Sequence, residues 1–208
     1  RLKPIIETLI HLNQFNQSKD KQLQLSKYHA SRLIELEASL GSTQLRWFGG
    51  EKILDLGQRL SEFRGIEHIT PSVGFTATLR PYQQDGLNWL QFLRSYELGG
   101  ILADDMGLGK TIQALAHICK EKEEGRLKTP CLVIAPTSLM FNWQMESKKF
   151  APDLKVLTLY GNDRKNLFND IIHQDLILTT YPLIVRDKEI LLQHQFHLLI
   201  LDEAQCIK

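Results

Sequence analysis

Five short apolar runs alternate with helical patterns from residue 75 onward, and this alternation constrains the fold more than any other feature. The helical patterns lie at about 82–95, 110–122, 138–150 and 164–173, and the apolar runs at 100–103, 131–135, 156–159, 176–179 and 198–201. Continuous apolar runs are typical of strands covered on both faces, as in a parallel sheet between helix layers. The pattern therefore predicts an α/β fold with an open parallel sheet.

A turn-forming stretch at residues 71–74, PSVG, separates this region from one with a different pattern. Residues 1–70 have helical periodicity, with one helix predicted between Ser26, a candidate N-cap, and Gly41, and another over 51–63. So short a helical region buries little surface alone, and we expect it to pack against the α/β region. The predicted domains are a small, mainly helical region at 1–74 and an α/β domain at 75–208.

The charge balance excludes a chain that binds nucleic acid through overall positive charge. Lys and Arg total 25 and Asp and Glu total 24, so any such contact must come from a local patch. The 43% hydrophobic content excludes a disordered chain. Cys119, Cys131 and Cys206 have no CxxC spacing, and the histidines lack ligand-like spacing, so neither a disulfide scaffold nor a metal site of these residues is predicted.

Targeting signals are not recognisable in the chain. It has neither an apolar run long enough to span a bilayer nor the layout of a signal peptide. We therefore expect a cytoplasmic protein without membrane contact. Because the chain does not begin with Met, we also expect it to be a piece of a longer protein.

The segment 104–111, DDMGLGKT, has the composition of a phosphate-binding loop, and it follows an apolar run and opens a helical pattern. Gly107 and Gly109 allow the backbone N–H groups to face a polyphosphate, next to the partial positive charge of a helix N-terminus. Lys110 can reach the β- and γ-phosphates, and the Thr111 hydroxyl can bind Mg²⁺. The strict pattern has Gly where this chain has Asp104, so spacing alone leaves a Gly-rich turn without a ligand as an equal alternative.

Two adjacent carboxylates, Asp202 and Glu203, come after the last apolar run. Ligands of open α/β sheets bind at the carboxyl ends of the strands, where both this pair and the loop would lie. Asp202 is suited to bind Mg²⁺, directly or through water, and Glu203 to orient and deprotonate an attacking water. For the pair alone, an exposed acidic turn is the alternative. The phosphate-loop pattern followed later in the chain by this carboxylate pair favours nucleotide hydrolysis over turns without a ligand.

Six motifs in order resemble the first RecA-like lobe of the Swi/Snf-type helicase-like ATPases of helicase superfamily two, over about residues 77–208. They are LRPYQQDG at 79–86, GGILADDMGLGKTIQ at 99–113, APTSL at 135–139 followed by Asn142, Trp143 and Glu146, TTY at 179–181, DEAQ at 202–205 and CIK at 206–208. The family itself has Asp at the position of Asp104. Gln205 departs from the more familiar DEGH and DEAH boxes, and the box together with the preceding helices looks most like bacterial members.

The resemblance implies ATP and Mg²⁺ as cofactors and double-stranded DNA as a partner. Lys110, Asp202 and Glu203 would be catalytic, with Thr111 and Asp202 as Mg²⁺ ligands. Nucleotide contacts would come from Gln83, which would bind the adenine edge, and from Asp105, Met106, Gly107, Gly109, Lys110 and Thr111. Contacts with the nucleic-acid backbone would come from Thr137, Ser138 and Thr180.

The resemblance also implies a second RecA-like lobe, whose arginine finger would contribute roughly 10³ to 10⁵ in turnover. We therefore expect this chain alone to bind nucleotide weakly and to hydrolyse little of it. In the resembled fold, a strand from beyond the catalytic box lies between the phosphate-loop strand and the Asp202 strand. We expect here an open or distorted Asp202 strand, or a neighbouring molecule in the gap, rather than a continuous regular sheet.

The sequence is thus interpreted as a helical region plus the first motor lobe of an ATP-dependent double-stranded-DNA translocase or remodeller, associated with the nucleoid. Two alternatives stay open: an RNA motor of the same superfamily, and a non-catalytic interaction module with a vestigial nucleotide site. Trp143 is expected to pack its helix on the sheet, and Ser138 can cap a helix as well as contact phosphate. Core packing is also expected of the apolar helix face formed by Trp89, Leu90, Phe92 and Leu93.

Overall fold

The computed structural model describes residues 30, 34 and 51–207 of the 208-residue chain. The chain divides into two compact units, Arg1–Gly65 and Ile66–Lys208. The assignment of residues 1–74 to a domain of their own stays a prediction. The helix predicted between Ser26 and Gly41 lies outside the described residues, apart from Ala30 and Ile34, which are both helical.

Within the first unit, helix α1 spans Glu51–Ser61, slightly shorter than the predicted 51–63. Leu56 and Gly57 lie on its buried face. A Cβ added at Gly57 would lie 2.5 Å from the carbonyl oxygen of Ala30, so only glycine allows this close approach of α1 to residue 30.

The second unit contains the predicted strands, with the exception of one at residues 100–103, and α-helices at the positions predicted for 82–95, 110–122 and 138–150, together with two short helices that were not predicted. In chain order these are α2 (Pro81–Ser95), α3 (Lys110–Glu123), β1 (Cys131–Ala135), α4 (Met140–Phe150), β2 (Val156–Thr158), β3 (Leu176–Thr180), α5 (Tyr181–Arg186), α6 (Lys188–Leu191) and β4 (Leu198–Leu201). Short 3₁₀ segments span Thr137–Leu139, Asp163–His173 and Ala204–Cys206, so the helix predicted at 164–173 is 3₁₀ rather than α. Among the described residues, no helix combines the length and apolar character needed to cross a membrane.

The four strands form one parallel sheet in the order β2-β3-β1-β4. The central strands β1 and β3 are buried along their whole length, as runs covered on both faces should be. At the sheet edge, β4 alternates instead, with Leu199 55% and Leu201 42% exposed. The prediction of two covered faces is confirmed for the central strands and wrong for β4, which has one face open.

Different helices cover the two faces of the sheet, because successive side chains of a strand point to opposite sides. On one face, Val133 packs in a cluster with Leu115 of α3 and Trp143 of α4. On the other face, Leu132 packs in a cluster with Ile171 of the 3₁₀ segment. The α/β fold with a parallel sheet between helix layers is therefore confirmed.

Residues 100–103 do not form the strand that their apolar sequence predicts. Ile101 is 85% exposed, and β4, at the end of the sheet, pairs only with β1 among the described residues. An extended segment without a neighbour cannot satisfy its backbone N–H and C=O groups within a sheet. The strand prediction is wrong for this reason, whereas the open edge of the Asp202 strand agrees with our expectation.

Candidate functional site

The predicted phosphate loop lies directly before helix α3. Gly107 (φ +82°) and Gly109 (φ +84°) adopt the left-handed conformation, which glycine reaches without a Cβ penalty. Lys110, the first residue of α3, donates from Nζ to the carbonyl oxygens of Asp104 (2.8 Å) and Asp105 (3.3 Å). The loop thus holds the ammonium group of Lys110 against its own backbone, while the exposed side chain of Met106 extends into solvent.

The N-terminus of α3 offers backbone N–H groups to an anion. Gly109 is its N-cap residue, no side chain caps the helix, and the first turn contains no acidic residue. The N–H groups of this turn therefore have no acceptor within the helix, and the helix dipole adds about half a positive charge at the same place. Thr111 lies in this turn and is partly buried. These residues fit a polyphosphate with its Mg²⁺ as the sequence predicts.

The predicted adenine-side motif contacts the loop. The Gln83 side chain accepts a hydrogen bond from the Arg80 N–H (3.0 Å) and donates from Nε2 to the Leu108 carbonyl oxygen (2.9 Å). The Tyr82 hydroxyl donates to the same carbonyl at 3.0 Å. A Cβ at Gly109 would lie 2.6 Å from Gln83 Nε2, so the contact also depends on a glycine there. Gln83 is therefore placed beside the loop, and its contact with adenine stays a prediction.

The buried side chain of Gln113 contacts the loop through Asp104, a role that the sequence did not predict. It is fully buried on α3 and donates from Nε2 to Asp104 Oδ2 at 2.7 Å. Its Oε1 atom faces Gly86 of α2, where an added Cβ would lie only 1.7 Å away. In the sequence, such a contact is indicated only by a polar residue beside the apolar face of a predicted helix, because a buried polar side chain generally has a hydrogen-bond partner.

The predicted carboxylates come directly after β4. The Asp202 N–H donates to the Ile134 carbonyl oxygen of β1 (2.9 Å), and its carbonyl oxygen accepts from the Tyr181 hydroxyl (2.7 Å). The indole Nε1–H of Trp143 donates to Asp202 Oδ2 at 2.8 Å. Burial, followed by the charge of Asp202, raises the pKa of Tyr181 above its usual value. The peptide and one carboxylate oxygen of Asp202 are thus held in place.

Glu203 adopts a left-handed backbone conformation, with φ +49°. Gln205 donates a hydrogen bond from Nε2 to Glu203 Oε2. A non-glycine residue in this region costs on the order of 1–3 kcal/mol, and such residues cluster at functional sites. The strained backbone of Glu203 therefore lies in the same turn as the carboxylates of Asp202 and Glu203.

Two contacts fix the C-terminal end of α3 at the beginnings of strands β3 and β4. Glu121, near the end of α3, accepts a hydrogen bond from His197 Nε2 (2.9 Å), and His197 directly precedes β4. Lys122 pairs with Asp175 (2.7 Å), which directly precedes β3. Helix α3 therefore runs antiparallel to the strands, with its C-terminus at their beginnings. Ideal rises per residue give about 17 Å from Glu121 back to Lys110 along the helix and about 17 Å from His197 to Asp202 along the strand. We infer from these lengths that the loop and the carboxylates both lie toward the carboxyl ends of the strands.

The predicted nucleic-acid contacts also lie at the ends of strands, but they differ in exposure. Thr137 and Ser138 are exposed in the turn after β1. Thr180, the last residue of β3, is only 1% exposed. The prediction of a surface contact is corrected for Thr180, because its side chain does not reach solvent, and Thr137 and Ser138 are kept as candidates.

The cysteines do not form a functional cluster. Burial raises the pKa of both Cys119 and Cys131 to about 12, so both thiols stay protonated and unreactive near neutral pH. All three cysteines are free, and Cys206 is exposed. Within residues 51–207, together with Ala30 and Ile34, no group of three or more His, Cys, Asp or Glu side chains could hold a metal ion.

Comparison with known proteins matches this arrangement to one family and to relatives that are much longer than this chain. The SNF2-related domain matches residues 82–208. YwqA of Bacillus subtilis, a candidate ATP-dependent helicase/translocase, is 43% identical over 181 residues, which are 86% of this chain and 19% of YwqA. The helicase Swr1 of Schizosaccharomyces pombe is 46% identical over 142 residues, which are 64% of this chain and 11% of Swr1.

The fold is also similar to that of a solved structure. The SWI2/SNF2 ATPase core of Sulfolobus solfataricus, in complex with double-stranded DNA, has a TM-score of 0.63 and 40% sequence identity, covering 68% of this chain and 29% of that chain. A second structure, of the Sulfolobus ATPase core domain, has a TM-score of 0.61. The α/β unit therefore matches the RecA-like lobe expected from the motifs. This chain belongs to the SNF2-related domain family of helicase-like ATPases.

Proposed function

We propose that this chain is the ATP-binding lobe of a motor that moves along double-stranded DNA and remodels the proteins bound to it. The single observation that supports the proposal is the contact of the C-terminal end of α3 with the residues that precede β3 and β4. From it we infer that Lys110, at the other end of α3, lies toward the carboxyl ends of the strands, as Asp202 does. The names of the relatives, and the DNA in the complex of the Sulfolobus core, support the choice of ATP and double-stranded DNA. Because the chain spans about a fifth of YwqA, the activity belongs to the whole protein.

The proposal assigns roles to the residues of the nucleotide site. When bound, ATP would supply the reactive phosphoryl group and Mg²⁺ would neutralise its charge. Lys110 and the first-turn N–H groups of α3 bind the phosphate oxygens, and Thr111 and Asp202 hold the metal ion. Glu203 orients an attacking water and accepts its proton. Gln83, beside the loop, is placed to bind the adenine edge.

Other parts of the proposal concern partners. Thr137 and Ser138, at the carboxyl end of β1, would contact phosphates of the DNA backbone. Affinity for DNA would then fall steeply with salt. A second RecA-like lobe would contribute the arginine finger that completes catalysis. A cytoplasmic location with the nucleoid fits such a motor.

The substitution Lys110→Ala in the intact protein tests the proposal. We expect nucleotide-analogue binding to weaken at least about tenfold and ATP turnover to fall about 100-fold or more, because a charge aimed at the phosphates is removed. Lys128→Ala, at an exposed lysine after α3, is the matched control and should change neither. Unchanged analogue binding in a folded Lys110→Ala variant would instead support a non-catalytic interaction module.

A competition assay distinguishes the nucleic acid. We expect duplex DNA to stimulate ATP turnover by the intact protein more than RNA of equal length does, at matched salt. Stimulation by RNA that duplex DNA does not match would refute the DNA assignment and support an RNA motor. This outcome would leave the nucleotide site itself unaffected.

A further inference from the structure

The side chain of Asp202, the proposed Mg²⁺ ligand, is oriented by a buried tryptophan. Trp143 is 2% exposed in the core between α4 and the sheet, and its Nε1–H lies 2.8 Å from Asp202 Oδ2. An indole has one donor and no acceptor, so this bond fixes where the N–H points. A hydrogen bond to a carboxylate is charge-assisted and is stronger than one between neutral groups.

The peptide of Asp202 is fixed by a second side chain. The Tyr181 hydroxyl donates to the Asp202 carbonyl oxygen at 2.7 Å, and the Asp202 N–H bonds to Ile134. Both peptide groups and one carboxylate oxygen are therefore held by partners on three elements, α4, α5 and β1. The carboxylate keeps its other oxygen, Oδ1, outside these contacts.

We propose that Trp143 and Tyr181 are positioning residues that hold the Asp202 carboxylate so that its second oxygen binds the Mg²⁺ of the nucleotide. This inference rests on the proposed nucleotide site and adds two residues to it. Outer-shell partners that orient a metal ligand typically contribute 10- to 100-fold to metal affinity or activity. Packing alone would not require the phenol hydroxyl, because Phe fills nearly the same space as Tyr, nor the indole N–H, because a sulfur analogue of the indole ring fills nearly the same space as Trp.

The decisive variants remove one donor each and keep the shape. Tyr181→Phe removes the hydroxyl, with Tyr160→Phe, at an exposed tyrosine, as the matched control. For the indole, Trp143→benzothienylalanine replaces the N–H with sulfur at nearly constant volume, and the same replacement at Trp89 is the control. We expect the Mg²⁺ concentration for half-maximal ATP turnover to rise about tenfold or more in the two test variants and to stay unchanged in the controls.

A spectroscopic measurement supplements turnover. In the intact protein with ¹⁵N-labelled tryptophan, the indole resonance that disappears in Trp143→Phe is assigned to Trp143. Titration of Mg²⁺ in the presence of ADP should shift this resonance, and Asp202→Asn should abolish the shift. The Trp89 resonance should not move with Mg²⁺.

The outcomes separate this inference from the proposed function. Unchanged Mg²⁺ requirements in both test variants, or an indole resonance insensitive to Mg²⁺, would overturn the positioning role even if Lys110→Ala abolishes nucleotide binding. A fall in kcat and melting temperature without any change in Mg²⁺ requirement would show a merely structural role and would also overturn it. Failure of Lys110→Ala to weaken analogue binding would overturn the nucleotide site as a whole.

Discussion

The most buried charge in the second unit, the Glu121 carboxylate, offers a quantitative test of how α3 is anchored. It is 0% exposed and accepts hydrogen bonds from Arg126 (2.6 Å), His197 (2.9 Å) and Gln91 (3.1 Å). Arg94 lies 3.4 Å away. Burial acts to raise the pKa of this carboxyl, but hydrogen bonds from Arg126, His197 and Gln91 outweigh burial and lower the pKa to about 2.

The pKa gives the magnitude of the effect. Lowering the pKa of Glu121 from 4.5 to about 2 corresponds to about 3 kcal/mol of stabilisation of the folded state. Because Arg126 and His197 are 24% and 23% exposed, they can turn to water once the carboxylate charge is gone. The loss then stays near the lower end of the roughly 3–5 kcal/mol found for broken buried pairs. We expect Glu121→Gln to lower the free energy of unfolding by about 3 kcal/mol at pH 7.

Urea denaturation followed by tryptophan fluorescence measures this loss. The matched control is Glu124→Gln, because Glu124 lies at the same end of the helix, is 44% exposed and pairs with Lys120 at 3.1 Å and more distantly with Arg126 at 3.5 Å. An exposed pair contributes less than about 1 kcal/mol. Folding lowers the pKa of Glu121, so its contribution is complete above pH 4.5 and is lost as the pH falls from 4.5 toward 2. If both variants lose the same stability at pH 7, the buried network does not anchor α3.

Two further variants test other buried contacts of this unit. Burial lowers the pKa of His117 to about 4, so wild-type stability should fall by about 2–3 kcal/mol between pH 6.5 and 4.5. His117→Gln should flatten this slope in urea denaturation, while His173→Gln, at an exposed histidine, should keep it. Arg164 and Asp187 form a buried double hydrogen bond of 2.7 and 2.9 Å, so Arg164→Lys should lose about 1–3 kcal/mol. The control Lys165→Arg should change the melting temperature little, and equal effects of the two would contradict the role of the paired geometry.

The sequence predicts this fold best where the physical cause is local. The runs at 131–135 and 176–179 are continuous because β1 and β3 are covered on both faces, and the pattern alone shows it. The run at 198–201 is equally apolar, yet β4 exposes Leu199 and Leu201. An apolar run does not reveal whether a neighbouring strand or helix is present, because that depends on distant parts of a chain. The same reason explains why residues 100–103, though apolar, do not form a strand.

The candidate site was predictable in its motifs but not in its supporting contacts. Glycine spacing, Lys110 and the two carboxylates are recognisable as motifs, although each of them taken alone leaves a turn without a ligand as an alternative. The bond from Trp143 to Asp202 joins residues far apart in sequence, and periodicity assigns Trp143 only to packing. A buried indole N–H generally requires a partner, but the sequence does not identify the partner. The burial of Thr180 was likewise unpredictable, since it depends on tertiary packing at the end of β3.

The departure of this loop from the strict phosphate-loop pattern is explained by contacts on three elements. The Asp104 carbonyl oxygen accepts a hydrogen bond from Lys110 Nζ, and the Asp104 carboxylate accepts one from Gln113 Nε2. A glycine at 104 would keep the first contact and remove the second. Gln113 Oε1 already has no partner, so the fully buried carboxamide would then be unpaired at both ends. The change would add the cost of one newly unpaired group, the Nε2 amide, which is about 1–3 kcal/mol. Because Gly86 leaves room for this amide, positions 86, 104 and 113 act as one unit, and the aspartate belongs to it as a structural requirement.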